Sequence, residues 1–386
     1  MAFQDAAFGK LGVKCTTFVL KQWAPGFMAR RSPRLRHLAV RDRVETLNGA
    51  KVIFSHYLHV PVRYSLEQCV RSMTRRAIRL IEAHGLQFDL VHGQSIYPAA
   101  LAAHRLAARF GVPFVITLRD DLSHLATLYE RRNARALFEP MFAAVAAVFV
   151  IGPAQERDAW RFLPERPTAQ VVLAPNGVDV QGIRSILEAL PPGAPGAWGR
   201  VVSVGSLFRF KGIHENLRAL KMVHDRGLRD WTYTVVGDGP YRKELEGLSK
   251  ELGLKDRVAF EGSVPHHEAI RHMRDSDIMS LPSWAEPFGN VYAEAAVCGR
   301  PAIGCRGGGA ELTIVDKRTG LLVPPRDIPA LADALAFLLS DPEKAREMGA
   351  AARGHIRQFT WERTARIYLD VLEEALRESL KGRREK

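Results

Sequence analysis

Short apolar runs rich in β-branched residues alternate along the whole chain with longer amphipathic segments, and this pattern constrains the fold most. In the first half, buried strands are predicted at 15–20, 52–55, 90–92, 114–117, 148–151 and 171–174. In the second half they are predicted at 201–204, 233–236, 258–261, 278–281, 301–304 and 320–323. Strands that alternate with helices favour right-handed crossovers and parallel, doubly wound sheets. The predicted fold class is therefore α/β.

The amphipathic segments have the helical spacing of apolar residues. Predicted helices cover 3–11, 65–84, 97–110, 134–146, 212–225, 241–252, 266–275, 290–298, 328–339 and 360–380. A length of 386 residues suits two domains. Residues 190–198 are rich in proline and glycine and are the predicted linker. We expect two Rossmann-like domains, whose strands end at a shared ligand-binding cleft.

Composition excludes several classes of protein. Hydrophobic residues make up 47% and charged residues 25%, which is typical of a soluble globular chain. Its four cysteines are scattered, without zinc spacing, and predict neither a disulfide nor a metal site. No run reaches the ~20 apolar residues of a membrane span, and the first residues lack a secretory signal. The sequence therefore predicts a cytoplasmic protein.

The net charge of +13 is concentrated early, since residues 1–79 hold 15 Lys and Arg against 4 Asp and Glu. Arg71, Arg75, Arg76 and Arg79 recur at helical spacing in the predicted helix 65–84. Such a stripe fits anionic lipid head groups, and a solvated helix face is the alternative. Nucleic-acid binding is disfavoured, because aromatic residues are not interleaved with the basic ones.

The strongest functional motif is LPSWAEPFGNVYAE at 281–294. A strand ends before it, Glu286 lies in a turn, and a helix that contains Glu294 begins near Asn290. Free N–H groups at a helix start bind anionic oxygens, and carboxylates accept hydrogen bonds from vicinal hydroxyls. These are the groups that a sugar diphosphate needs. The alternative is a helix-capping acid with a separate surface acid.

Other polar groups follow predicted strands. Arg209 and Lys211 lie in VGSLFRFKG at 204–212, a loop whose cations suit a diphosphate leaving group although it is not a P-loop. The glycines of RGGGAE at 306–311 permit close approach of a ligand, or form a plain loop. In the first half, His92, Arg119 and Asp121 come after strands and are expected to face the cleft.

In this order, VGSLFRFKG, VVGDGP, FEGSV, LPSWAEPFGNVYAEAAVCGRPAIG, GGGAE and TGLLVPP resemble family 4 of the nucleotide-sugar glycosyltransferases, retaining enzymes of the GT-B fold. The likeness runs over about 88–361, with FDLVH at 88–92 and APNGVD at 174–179. It implies a first, acceptor domain at 1–185 and a donor domain at 186–359. It also implies that a C-terminal helix within 360–386 crosses back to the first domain.

The resemblance also implies roles for single residues. Glu294 would bind the donor ribose, and Glu286 the transferred sugar. Lys211 and Arg209 would bind the diphosphate. The other expected donor-binding positions are Gly205 in the cationic loop, Ser263 and Val264 at the nucleobase, and Phe288, Gly289, Asn290 and Val291 with their amides. Arg119 and Asp121 would contact the donor sugar from the first domain.

Three departures qualify the resemblance. Ser206 stands where many members have arginine, so Arg209 must supply that charge. The segment from Arg119 to Asp121 is shorter than the commoner pattern, which contains an inserted glycine. The usual opening strand and its glycine-rich loop are missing. We therefore expect a misassigned start, a truncated chain or impaired activity.

The function implied by the resemblance is transfer of a sugar from a nucleotide-diphosphate donor, UDP being the expected nucleotide, with retained anomeric configuration. Neither a metal nor another cofactor is expected. The acceptor would be a hydroxyl of a sugar or lipid-linked molecule, in cell-surface polysaccharide or glycolipid synthesis, with the enzyme peripheral on the inner membrane face. An inactive GT-B relative, a sugar phosphorylase or an epimerase is the alternative class, although no lysine for pyridoxal phosphate stands out.

Overall fold

The structure, a computed structural model, describes residues 2–23, 42–58, 66–119, 134–161, 169–191 and 198–384. Contacts divide the chain into two compact units. The first comprises Met1–Ile151, Gln155–Pro175 and Trp361–Lys386, and the second comprises Gly152–Ala154 and Asn176–Thr360. The division therefore falls at Asn176, and the predicted linker belongs to the second unit, with its residues 192–197 outside the described residues.

Strands and helices alternate along most of the chain. The strands are β1 (Thr16–Trp23), β2 (Arg43–Leu47), β3 (Ala50–Leu58), β4 (Val91–Gln94), β5 (Phe114–Leu118), β6 (Ala147–Val150), β7 (Gln170–Leu173), β8 (Arg200–Val204), β9 (Thr232–Val236), β10 (Val258–Gly262), β11 (Ile278–Ser280), β12 (Ala302–Cys305) and β13 (Gly320–Val323). The helices are α1 (Ala2–Lys10), α2 (Leu66–Ala83), α3 (Leu101–Phe110), α4 (Arg135–Ala144), α5 (Pro153–Ala159), α6 (Val180–Ala189), α7 (Ile213–Asp225), α8 (Arg242–Glu251), α9 (His266–Asp275), α10 (Asn290–Val297), α11 (Ala310–Thr313), α12 (Ile328–Ser340), α13 (Pro342–His355) and α14 (Trp361–Arg384).

In the first unit, the described strands form two sheets. One is parallel in the order β4-β5-β6-β7, and β5 and β6 are buried throughout because helices cover both faces. The other has the order β1-β3-β2, in which β1 runs parallel to β3.

The pairing of β2 with β3 is antiparallel and was not predicted. The two strands are joined by Asn48 and Gly49, whose φ values of 50° and 83° give the left-handed backbone of a tight hairpin turn. An Asn-Gly pair between alternating residues is a strong hairpin signal, so the sequence carried the information.

In the second unit, one parallel sheet has the strand order β10-β9-β8-β11-β12-β13. The order reverses between β8 and β11, so the loops that follow these two strands leave the sheet in opposite directions and a crevice opens between them. This is the doubly wound arrangement that the second half of the sequence predicts, with each predicted strand present. The switch point is where such sheets bind ligands.

A buried polar network fixes α7 beside the switch point. The Asn216 side chain donates to the Ser280 carbonyl at 2.9 Å and accepts from the Ser280 hydroxyl at 2.7 Å. Ser203 Oγ and the Tyr233 hydroxyl are 2.7 Å apart and each lies 3.1 Å from Asn216 Nδ2. These partners satisfy the buried polar groups, so the network ties β8, β9, β11 and α7 together.

The C-terminal helix α14 packs on the first unit, as the resemblance implies. Tyr368 is buried, its ring centroid lies 4.0 Å from that of Phe149, and its hydroxyl is 2.9 Å from Thr117 Oγ1. Thr364 Oγ1 donates to the Pro175 carbonyl at 2.7 Å. Among the described helices, none is both long enough and apolar enough to span a membrane.

Replacing Tyr368 by alanine removes a stacked ring and a buried hydroxyl. We expect Tyr368→Ala to lower the free energy of unfolding of the first unit by about 3–5 kcal/mol, because it leaves a cavity and removes one hydrogen-bond partner of Thr117. Urea unfolding followed by circular dichroism measures this. Leu380→Ala, on an exposed part of the same helix, is the control and should change stability by less than about 0.5 kcal/mol. Equal effects of the two would contradict the packing of α14.

Candidate active site

The candidate site lies at the carboxyl edge of the second-unit sheet, where β8 and β11 end. The two loops that follow these strands are joined by a backbone hydrogen bond from Trp284 N to Phe210 O of 3.0 Å. Gly212 has a φ of 71°, and a Cβ at this position would lie 2.3 Å from the Pro282 carbonyl oxygen. Only glycine allows this approach, so the two loops have a fixed separation.

Opposite charges from these loops meet at the switch point. Lys211 Nζ donates to Glu286 Oε2 at 2.5 Å, and the two side chains are only 14% and 13% exposed. Low exposure strengthens a charge-assisted hydrogen bond of this kind. The structure thus brings together a predicted cation and a predicted carboxylate that are distant in sequence.

The helix α10 begins directly after the turn that contains Glu286. Gly289 caps it with a φ of 78°, and a Cβ there would lie 2.4 Å from the Tyr292 ring and 3.0 Å from Glu286 Cγ. The Tyr292 hydroxyl donates to the Leu281 carbonyl at 2.6 Å, which fixes the first turn against β11. Phe288 is buried, Asn290 is exposed and Val291 is partly exposed. The free N–H groups of this helix start are therefore held at the sheet edge.

The loop after β12 packs on the Glu286 turn. Gly309 N donates to the Glu286 carbonyl at 2.7 Å, and a Cβ on Gly309 would lie 2.4 Å from Phe288 Cα. Gly308 is also close, since its Cβ would come within 3.3 Å of the Glu286 oxygen. Gly309 is therefore required for the packing of one loop against the other, and Gly308 leaves little room for a side chain.

Glu294, on the second turn of α10, is paired with a residue that sequence reasoning missed. His266, the first residue of α9, lies with its Nε2 3.1 Å from Glu294 Oε1. This hydrogen bond raises the pKa of His266 above its usual value. No spacing in the sequence indicates such a contact, because it depends on how α9 and α10 pack.

The ends of β8, β9 and β10 come together through glycines. Gly237 N donates to the Gly262 carbonyl at 2.7 Å, and Gly205 N donates to Val236 O at 3.0 Å. A Cβ on Gly237 would lie 1.9 Å from the Gly205 oxygen. Ser263, which is exposed, and Val264, which is partly exposed, follow Gly262. The structure thus places Gly205, Ser263 and Val264 at the same sheet edge as Lys211 and Glu286.

Arg209 and Lys211 belong to one turn but differ in their surroundings. Arg209 is exposed, and its side chain lines a groove with His214 and Arg218, whereas Lys211 is paired with Glu286.

The sequence also gave no sign of a contact made by Asn176, in the APNGVD segment. Its Nδ2 donates to Asn290 Oδ1 at 3.2 Å.

The first-unit candidates form a network of their own at the ends of β4 and β5. Arg119 donates from Nε to Gln94 Oε1 and from Nη2 to Gln4 Oε1, both at 2.6 Å. His92 lies 2.7 Å from Thr117 Oγ1, and burial lowers its pKa to about 3, so it is neutral near pH 7. Asp121 lies outside the described residues.

Both halves of the chain match models of known protein families. The sequence model of "Glycosyl transferases group 1" matches residues 195–355, and that of "Glycosyltransferase Family 4" matches residues 18–181. A "D-inositol 3-phosphate glycosyltransferase" of Saccharomonospora viridis is 30% identical over 313 residues, which cover 75% of this chain and 70% of that protein. A "GDP-mannose-dependent alpha-(1-6)-phosphatidylinositol monomannoside mannosyltransferase" of Mycolicibacterium smegmatis is 33% identical over 53% of this chain and 58% of that protein.

Solved structures share the fold. "Sucrose-phosphate synthase" from Thermosynechococcus elongatus superimposes with a TM-score of 0.76 at 23% identity, over 96% of this chain and 91% of that one. The structure of Anabaena HepE in complex with UDP and glucose superimposes with a TM-score of 0.69 at 19% identity, over 97% of this chain and 95% of that one. The fold is that of GT-B glycosyltransferases. The chain belongs to the group 1, family 4 glycosyltransferases and is an enzyme that uses nucleotide-sugar donors.

A side chain at Gly289 should damage the site. Gly289→Ala must adopt an unfavourable φ and collides with Tyr292 and Glu286, so we expect a loss of about 1–3 kcal/mol in stability and weaker donor binding. Thermal unfolding and calorimetric titration with nucleotide measure these effects. Gly247→Ala is the control, because a Cβ there, within α8, meets nothing within 4 Å. It should leave donor binding intact, and equal behaviour of both variants would contradict the packing described.

Proposed function

We propose that the enzyme transfers a sugar from a UDP-linked donor to an acceptor hydroxyl, with retained configuration and without a divalent metal or other cofactor. The observation that carries this proposal is the contact of Lys211 with Glu286 at the switch point. A donor that enters here offers its diphosphate to the ammonium group and its sugar hydroxyls to the carboxylate. The Lys211 ammonium group thus gains a negatively charged partner, and the Glu286 carboxylate gains hydrogen-bond donors.

In the proposed reaction, the bond from the anomeric carbon to the diphosphate oxygen breaks. The acceptor oxygen forms the new bond on the same face, and its proton passes to the departing diphosphate, giving UDP and the glycosylated acceptor. Lys211 stabilises the negative charge that grows on the diphosphate, with Arg209 beside it in the same turn.

Glu294 is proposed to accept hydrogen bonds from the ribose hydroxyls, and Glu286 from the transferred sugar. Ser263 and Val264 would seat the base. The backbone at Gly205, Phe288, Gly289, Asn290 and Val291 would contribute N–H donors, as helix starts do for phosphate and hydroxyl oxygens. His266 supports this arrangement, because its hydrogen bond to Glu294 shows that this carboxylate can accept from a donor at the sheet edge.

The two carboxylates do not suit a hydrolase. A glycosidase pairs a free acid with a nucleophile or base across the scissile bond. In this enzyme Glu286 is bound to Lys211 and Glu294 to His266. Both are therefore engaged as hydrogen-bond acceptors, which supports a binding role.

Names of related proteins support the choice of substrates. UDP and glucose occupy Anabaena HepE, whereas a relative uses GDP-mannose. The relatives' acceptors, inositol 3-phosphate and a phosphatidylinositol mannoside by name, support a sugar or lipid-linked acceptor in glycolipid or polysaccharide synthesis.

Neutral variants of the two glutamates separate their roles. We expect Glu294→Gln to weaken UDP binding about tenfold through lost charge-assisted hydrogen bonds, and Glu286→Gln to lower turnover more than UDP affinity. Glu244→Gln, at an exposed position of α8, should change neither. NMR should show the His266 pKa falling towards its usual value when UDP displaces it from Glu294. A His266 pKa unmoved by saturating UDP would contradict the ribose role.

Retention and metal independence are tested on the same reaction mixture. Proton NMR of the first product formed should show the donor's anomeric configuration, and excess EDTA should leave the rate unchanged. An inverted product, or a rate lost with EDTA and restored by Mg²⁺, would contradict the proposed mechanism.

We also propose that the enzyme is cytoplasmic and attaches to the inner membrane face through α2. Arg71, Arg75 and Arg79 are exposed along one side of this helix. Arg71 is paired with Glu67 at 2.5 Å, and Arg76 with Asp42 and Ser55. Within the described part of the chain no carboxylate pairs with Arg75 or Arg79, so these two carry the stripe's available charge, which anionic head groups would attract.

Vesicle co-sedimentation tests this surface. We expect Arg75→Gln with Arg79→Gln to reduce binding to vesicles rich in phosphatidylglycerol several-fold, because each basic residue near an anionic surface contributes about 1 kcal/mol. The matched control replaces Arg229 and Arg318, which are exposed in the second unit, by glutamine. It changes the net charge by the same amount as the α2 double variant. Equal losses from both double variants would show only a general charge effect and would contradict a role of α2.

A further inference from the structure

A second candidate site lies next to the donor site, in a groove at the start of α7. Its volume is about 490 Å³, within the usual range for small-molecule sites. The groove is lined by Arg209, His214, Glu215, Arg218, Trp284 and Arg326. Trp284 belongs to it, whereas Glu286, two residues further on, contacts Lys211. The loop after β11 thus serves two different sites.

The positive charge in the groove is not offset by ion pairs in direct contact. Among the described residues, no carboxylate lies within 4.0 Å of the guanidinium groups of Arg209, Arg218 or Arg326. All three side chains are exposed. Guanidinium groups bind phosphate through paired, charge-assisted hydrogen bonds. The start of the 13-residue helix α7 adds its own partial positive charge.

Arg326 is held across the groove rather than left to move freely in solvent. Its residue has a φ of 64°, a left-handed conformation that is uncommon for arginine. Its guanidinium carbon lies 4.1 Å from the centroid of the Trp284 ring, so the cation stacks on the aromatic face. Trp284 is in turn fixed by its backbone bond to Phe210 and by the His214 ring, 6.0 Å away.

A carboxyl group lies in the same groove. Glu215 is 4% exposed, and its nearest ion-pair partner is His214, 3.8 Å away. Burial raises the pKa of Glu215, and burial lowers that of His214 to about 4, so His214 is neutral near pH 7. A ligand hydroxyl both donates and accepts, so it pairs with Glu215 in either protonation state.

We propose that this groove binds the phosphate monoester of a small polyhydroxylated molecule, its phosphate on Arg218 and Arg326 and a hydroxyl on Glu215. A phosphate monoester carries a charge of about −2 at neutral pH, which matches several neighbouring guanidinium groups better than the single charge of a carboxylate does. The site is separate from the Lys211–Glu286 pair and stands independently of the donor chemistry. Arg209 borders both sites, so it is left out of the test.

Calorimetric titration with glucose 6-phosphate, glucose, inorganic phosphate and UDP tests the proposal. Glucose 6-phosphate should bind more tightly than inorganic phosphate, and glucose should bind weakest. Replacing Arg218 and Arg326 by glutamine should weaken glucose 6-phosphate binding by at least about tenfold, as expected for lost charge-assisted hydrogen bonds. The matched control is the Arg229→Gln, Arg318→Gln double variant, which should bind normally. Thermal unfolding verifies that both variants are folded.

Two further measurements separate this site from the donor site. Glu286→Gln should bind glucose 6-phosphate as the wild type does, and saturating UDP should not displace it. The proposal would be overturned if UDP competed with glucose 6-phosphate and if the double variant at Arg218 and Arg326 bound both ligands equally less tightly. The groove would then belong to the donor diphosphate. Equal affinity for glucose and glucose 6-phosphate would overturn it as well.

Discussion

The site depends on one constraint, the close approach of the loops that follow β8 and β11. At a switch point, the loops that follow two neighbouring parallel strands turn towards opposite faces of the sheet. A crevice therefore opens between the points where the two loops begin. Gly212 against Pro282 and Trp284 N against Phe210 O fix how near the two loops come. Lys211 and Glu286 meet because their backbones are already held at this distance.

Most of the surrounding structure keeps that backbone rigid. Tyr292 attaches the start of α10 to β11, and Asn216 attaches α7 to the same strand through buried hydrogen bonds. Gly309 packs the next loop under Glu286. A site preorganised in this way does not spend binding energy on ordering its own groups, so in the proposed reaction its charges can stabilise a leaving diphosphate without rearrangement.

The sequence predicted the second-unit sheet well, because each of its strands is a short apolar run and because strands and helices alternate regularly in this half of the chain. It also singled out Lys211, Glu286 and Glu294, because these residues lie in motifs that follow strands, and the structure brings Lys211 and Glu286 into contact. It did not predict β2, although Asn48 and Gly49 signal a hairpin, since β2 is exposed and has no continuous apolar run. The helix α13 was also missed.

Contacts between side chains from different helices were beyond sequence reasoning. The pairing of His266 with Glu294 depends on how α9 and α10 pack, and the groove of Arg218 and Arg326 depends on where β13 lies relative to α7. Periodicity fixes which face of a helix is buried, but it does not fix which polar groups of two neighbouring helices meet. These are the positions at which the structure adds most to the chemistry.

The most direct test of the central claim is a crystal structure of the enzyme with a bound UDP-sugar. We expect the diphosphate on Lys211, the sugar on Glu286 and the ribose on Glu294, with His266 displaced from that carboxylate. A nucleotide bound elsewhere, with the ion pair of Lys211 and Glu286 intact and untouched by ligand, would contradict it.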